Sequence, residues 1–273
     1  MCRWMAYSGD PILVEELLYK PEHSLIDQSM TSHSAETPTN GDGFGVGWYS
    51  KQGKSGIYRS TRPAWNDFNM KDLAAHIETP LFFAHVRATS QATVQETNCH
   101  PFRYKQWLFV HNGEIFEIET IRRELLFAIS PQLFPYVLGT TDSEIMFYLA
   151  LTFGLEEDPY SALLQMARFI EQTGRAHGID ESLWMTVAAS DGHSIYAVRY
   201  ASDQAAPSLH HSREMKDVYR INPALKDVLG PSTAVIVSEP VGQSAEMWDE
   251  IPQSSFVTLR GGNIEIGPFN PNS

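Results

Sequence analysis

Eight short apolar runs, rich in aromatic and β-branched side chains and spread along 273 residues, restrict this chain more than any other feature. They are RWMAYS (3–8), FGVGWYS (44–50), LFFAHVR (81–87), WLFVHN (107–112), LWMTVAAS (183–190), SIYAVRY (194–200), TAVIVSE (233–239) and SFVTLR (255–260). Each is short for a buried helix and suits a buried strand. SDGHS (190–194) reads as the turn of a hairpin. Helical spacing fills the gaps. Ile118, Ile121, Leu125 and Leu126 recur within 115–127, and Leu163, Leu164, Ala167 and Ile170 form a stripe within 159–172. TTDSEIMFYLALTF (140–153) opens on residues suited to an N-cap and continues as an apolar body. The expected fold is α+β, with helices packed on sheets in layers. SHSAETPTNGDG (32–43) is expected to be a surface loop, and no repeat or linker divides 1–273 into more than one domain.

Composition narrows the function classes. A net charge of −13 argues against a nucleic-acid surface, which needs basic patches to displace counterions. Two cysteines, Cys2 and Cys99, supply neither a disulfide framework nor a metal clip. No apolar stretch has the length of a signal peptide or a membrane span. A cytoplasmic enzyme or binding protein, with no cofactor or metal called for, is the expectation. Nothing in the sequence reports oligomeric state.

Cys2 stands directly behind the initiator methionine. It reads either as a small apolar residue opening a strand or as a new N-terminus once Met1 is removed. In the second case one residue carries both a thiol nucleophile and an α-amine base of pKa about 7.7–8.0. Such a site needs no His–Asp pair, only oxyanion donors and substrate clamps. Asn112 and Gly113 in VHNGEI could provide an amide and a backbone N–H, or be a plain Asn-Gly turn. Arg87 could grip a carboxylate or be a solvated strand end. Asp142 could bind an ammonium or cap a helix.

In combination these segments resemble the class II glutamine amidotransferases, N-terminal nucleophile hydrolases. Cys2, GDGFGVGWY, the Arg87 segment, HNG and TDSE occur in the family's order. Arg87, Ser90, Asn98, His100, Pro101, His111, Asn112 and Gly113 fall into its middle frame, and the motifs cover about the first 150 residues. The resemblance implies a four-layer αββα sandwich. It makes Cys2 the nucleophile and Asn112 with Gly113 the oxyanion hole. Arg87 and Ser90 would hold the α-carboxylate of a glutamine or γ-glutamyl group, Asp142 its α-ammonium, and a γ-glutamyl thioester would form.

Three positions depart from the family: Ala88 replaces a frequent Trp, Ser90 a Thr and Gln91 a His. These fit the stand-alone members, as does the closing segment 238–259. The group includes the ergothioneine-pathway γ-glutamyl hydrolase and the glutathione-degradation subunit. The expected fold consumes nearly all 273 residues and leaves no room for a synthase. Released ammonia would therefore pass to a separate protein, or the leaving group is not ammonia. Two rivals are a metal site at His85, His100, His111 and Glu114, and a non-catalytic subunit that keeps Met1.

Overall fold

The computed structural model describes residues 2–30, 39–88 and 93–272. Thirteen strands are found among them. These are β1 (Arg3–Leu13), β2 (Phe44–Tyr49), β3 (Ser55–Ser60), β4 (Glu78–Val86), β5 (Phe102–Tyr104), β6 (Trp107–Ile115) and β7 (Leu183–Ser190). There follow β8 (Ile195–Ala201), β9 (His210–Ser212), β10 (Ala234–Val237), β11 (Trp248–Glu250), β12 (Ser255–Arg260) and β13 (Asn263–Pro268). The α-helices are α1 (Glu15–Leu18), α2 (Leu25–Met30), α3 (Phe68–Ala74), α4 (Ile118–Ala128), α5 (Asp142–Thr152), α6 (Pro159–Ala176) and α7 (Met215–Ile221).

The strands form two sheets, one ordered β11-β9-β10-β1-β4-β2-β3 and the other β13-β12-β8-β7-β6-β5. All their pairings are antiparallel. Alternation along each strand assigns its faces. On β1, Trp4 and Ala6 join an inter-sheet core with Leu81, Phe83, Leu108, Val110 and Ala188. Met5 and Tyr7 point the other way, into a layer with Leu17, Leu25, Met70 and Val218 from short helices. Beneath the second sheet, Phe109, Met185 and Val187 pack on α4, α5 and α6. The order is helix, sheet, sheet, helix: the expected four-layer α+β sandwich.

Helix α5 lies deepest. Every residue from Ser143 to Leu151 is buried, between α4, α6 and β6. A helix apolar on all sides belongs in such a position. α6 instead shows one buried stripe, Leu163, Met166, Ala167 and Ile170, and Asp158 caps it by accepting from Ser161 N. SDGHS does turn β7 into β8. One expectation needs correction. The helix foreseen from 115 starts at Ile118, because β6 continues to Ile115.

Burial decides which aromatic residues hold the sandwich together. Phe83, fully buried between the sheets, should cost about 3–5 kcal/mol when cut to Ala. Phe127, 72 % exposed on α4, should cost under about 0.5 kcal/mol. Urea denaturation of the two variants measures both.

Candidate active site

Pairing of the strands brings Cys2 to Arg87. Arg3 is opposite Val86 in the β1–β4 ladder, so Cys2 falls opposite Arg87 one step further on. Cys2 is half-buried and its thiol donates to Ala88 O at 3.4 Å. Burial pushes the thiol above its ordinary pKa; the Arg87 guanidinium pulls it back, and Asp142 adds to the rise. One electrostatic neighbourhood thus contains Cys2, Arg87 and Asp142.

Arg87 is not a solvated strand end. It is 3 % exposed, and its Nη1 donates to Asp42 O and Thr93 O, both at 3.3 Å. Its backbone exchanges bonds with the start of the glycine-rich segment: Arg87 N to Gly43 O, and Asp42 N to Arg87 O. Gly43 has φ +112, and a Cβ there would sit 2.6 Å from Cys99 Sγ. A side chain at this position would be strained and would press on Cys99 and Ser60. Ser90, the other expected carboxylate ligand, lies outside the described residues, as do Gln91 and Met1.

Nor is Asn112-Gly113 a turn. Both residues lie inside β6, opposite Thr186 and Met185 of β7. Gly113 adopts φ +150, and a Cβ would collide with Trp184 O. The local preference of Asn-Gly for hairpin turns yields here to strand pairing, and the glycine serves a distorted strand end. Asn112 is 4 % exposed and Thr186 Oγ1 donates to its carbonyl at 3.1 Å. Among the described residues, no recorded hydrogen bond engages its side-chain amide.

The cap of α5 is Thr141, whose Oγ1 accepts from Glu144 N at 3.2 Å. This leaves Asp142 for another task. Its carboxylate accepts from Ile115 N at 2.9 Å and Ser143 N at 2.6 Å, fastening the helix to the end of β6.

Two buried residues outside the expected set hold these loops. Asn98 receives Thr140 N at 2.7 Å and donates to Thr140 Oγ1 and Thr93 O. It therefore ties the segment after Arg87 to the segment before Asp142. Glu144 accepts from Leu138 N and Gly139 N, at 3.1 and 2.6 Å, while burial pushes its carboxyl up. Asn98 was visible as a motif residue, but its two bonds to Thr140 reach over forty positions along the chain.

The three histidines do gather, but with other tasks. His85 Nε2 donates to His111 O at 3.1 Å, and the rings of His85 and His100 stack at 4.0 Å. His111 contacts Ser143 Oγ and Trp184 O through its two nitrogens. Among the described residues, no three His, Cys, Asp or Glu side chains are arranged to hold a metal. No helix of the described residues is long and apolar enough to cross a membrane.

Two facing sheets between helical layers, with Cys2 just ahead of the first strand, form the four-layer architecture of the N-terminal nucleophile hydrolases. The sequence model described as "Glutamine amidotransferases class-II" matches residues 23–271. The "Probable glutamine amidotransferase DUG3" of Saccharomyces cerevisiae is 32 % identical, over 98 % of this chain and 84 % of its own. The "Gamma-glutamyl-hercynylcysteine sulfoxide hydrolase" of Mycolicibacterium smegmatis is 24 % identical, over 98 % and 100 %. A solved class II glutamine aminotransferase domain protein of Silicibacter pomeroyi superposes with TM-score 0.74, at 31 % identity and covering 99 % and 100 %. The chain belongs to the class II glutamine amidotransferases and is a hydrolytic enzyme of that type.

Burial also gives the site a pH dependence. It holds His85 at about 3 and His100 well below 6.5, and lowers His111. Between those values and 6.5 the unfolded chain binds protons that the folded chain refuses, so stability falls as pH drops. Each of these rings contributes a slope of up to about 1.4 kcal/mol per pH unit below 6.5. Urea midpoints at pH 7, 6 and 5 should show this decline, and His100→Leu should flatten it.

Proposed function

We propose that this protein hydrolyses the γ-amide of glutamine through a γ-glutamyl thioester on Cys2. The observation that carries the reading is the state of the thiol. Burial keeps it protonated near neutral pH, so attack needs a base. Among the described residues, no imidazole or carboxylate is recorded hydrogen-bonded to Cys2 Sγ; its bond goes to the Ala88 carbonyl. The α-amine of Cys2 itself, exposed when Met1 is removed, fills that role. It takes the thiol proton and returns it to the leaving amine.

The remaining groups divide the substrate between them. The Asn112 amide and the Gly113 N–H stabilise the tetrahedral oxyanion. Arg87, with Ser90, pairs with the α-carboxylate, and Asp142 accepts from the α-ammonium. Water then attacks the thioester and releases glutamate. Ammonia, where it is the leaving group, passes to a separate acceptor protein.

A second reading concerns the leaving group alone: a γ-glutamyl peptide or amide with a larger amine. It is supported by the end-to-end match to the Mycolicibacterium hydrolase. All the strands described belong to the two sheets of the sandwich, which fits one domain across 1–273. The chemistry at Cys2 is the same in both readings.

A diazo-ketone analogue of norleucine should add once, at Cys2, to protein lacking Met1, as read by intact mass and peptide mapping. Cys2→Ala should abolish both the adduct and glutamate release. A Met1-free protein that takes no adduct would favour the non-catalytic subunit. Asn112→Ala should lower kcat by about 10²–10³. Glutamate release from glutamine and from γ-glutamyl peptides then assigns the leaving group.

A further inference from the structure

The hydroxyl of Ser143 stands between two acceptors. His111 Nδ1 is 2.8 Å away and Asp142 Oδ1 is 3.0 Å away. One hydroxyl proton can serve only one of them. The choice is made on the far side of the imidazole. Trp184 O, 3.2 Å from Nε2, can only accept, so Nε2 bears the ring proton. Burial favours the neutral ring, against the opposing pull of Asp142, and a neutral ring protonated at Nε2 has a bare Nδ1. That nitrogen takes the Ser143 proton.

The consequence falls on Asp142. Its carboxylate has about four lone-pair directions, and the N–H groups of Ile115 and Ser143 occupy two. A third donor from the Ser143 hydroxyl would compete with a ligand ammonium. We propose that His111 is a positioning residue for substrate binding: by drawing the Ser143 hydroxyl proton to Nδ1, it keeps Asp142 Oδ1 open to the α-ammonium. The proposal rests on the reading of Asp142 as the ammonium acceptor.

The surroundings allow the ring little alternative. His85 Nε2 donates to the backbone carbonyl of His111, which fixes the peptide that carries the ring. A Cβ on Gly113 would lie 2.7 Å from His111 Nε2, so the imidazole is packed directly under the strand distortion. His111 is 1 % exposed and Ser143 5 % exposed, so water does not substitute freely for either partner. The arrangement places one side chain's tautomer in control of another side chain's accepting capacity.

The test compares L-glutamate with glutarate, which lacks the α-amine, by calorimetric binding to the Met1-free protein. Asp142→Asn comes first. It should weaken glutamate and leave glutarate unchanged; equal effects on both, or none, would remove the ammonium reading itself. With that reading standing, His111→Gln is the informative variant. Its amide can still donate to Trp184 O but puts no acceptor where Nδ1 stood. Glutamate should bind roughly five- to tenfold more weakly and glutarate as before, the size of one hydrogen bond. Adding Ser143→Ala should then restore glutamate to within about twofold of the parent, because the competing hydroxyl is gone. A purely structural role for His111 predicts losses that add, on both ligands. The proposal is overturned if His111→Gln leaves glutamate binding intact or weakens both ligands alike. It is overturned equally if the double variant is no better than the single. Should His111→Gln fail to fold, Ser143→Ala alone decides. Unchanged glutamate binding supports the proposal, and a selective loss shows that the hydroxyl donates to Asp142 and overturns it.

Discussion

Several buried hydrogen bonds cross between the sheets, and two of them bear on the geometry of the site. Trp4 Nε1 donates to Thr186 O at 3.2 Å, and His85 Nε2 donates to His111 O at 3.1 Å. Apolar packing between sheets is non-directional and tolerates sliding, whereas a buried hydrogen bond does not. Each bond starts on a strand of the first sheet, at a residue two positions from Cys2 or Arg87. Each ends on a strand of the second sheet beside Asn112. The bonds thus set the distance between the strand that follows Cys2 and the strand that carries Asn112, which neither sheet could set alone.

The same burial that makes these bonds stringent shapes the acid–base character of the site. Three imidazoles are held neutral within it, so none arrives as a ready-charged partner for the thiol. Arg87 is the nearby fixed positive charge that acts on Cys2, and it is also the group offered to a carboxylate. A bound carboxylate would weaken its pull on the thiol. In the proposed reaction the thiol therefore needs a base of its own when substrate is present, and an N-terminal amine is neutral until it takes the thiol proton.

The central strands were legible in the sequence because both faces are covered, so their apolar runs are continuous. The strands that escaped notice, β3, β5, β9, β11 and β13, lie at or next to sheet edges. β13 has no buried residue, and β5, β9 and β11 are three residues long. Helices α1, α2, α3 and α7 span four to seven residues, too few to display a helical period. At the site, the family resemblance selected Cys2, Arg87, Ser90, Asn112, Gly113 and Asp142, each of which the residues taken singly left open. The bonding of Asn98, His85 and Ser143 was not legible, because each partner is supplied by tertiary packing. The Asn-Gly dipeptide pointed to a turn for a sound local reason, and a strand that accommodates φ +150 at Gly113 overrode it.

Four consecutive residues at the start of α5 show how a short motif can do several things at once. Thr141 spends its side chain on the cap, so Asp142 need not. Successive helical positions turn by about 100°, which aims neighbouring side chains at different elements. Asp142 reaches Ile115 at the end of β6, and Ser143 reaches His111 within that strand. Glu144 turns back to the Leu138 and Gly139 amides that lead into the helix. Exchanging any two of these residues would keep the composition and lose the geometry. The carboxylate beside β6 can remain available to a ligand because its neighbours satisfy the cap, the loop and the buried imidazole.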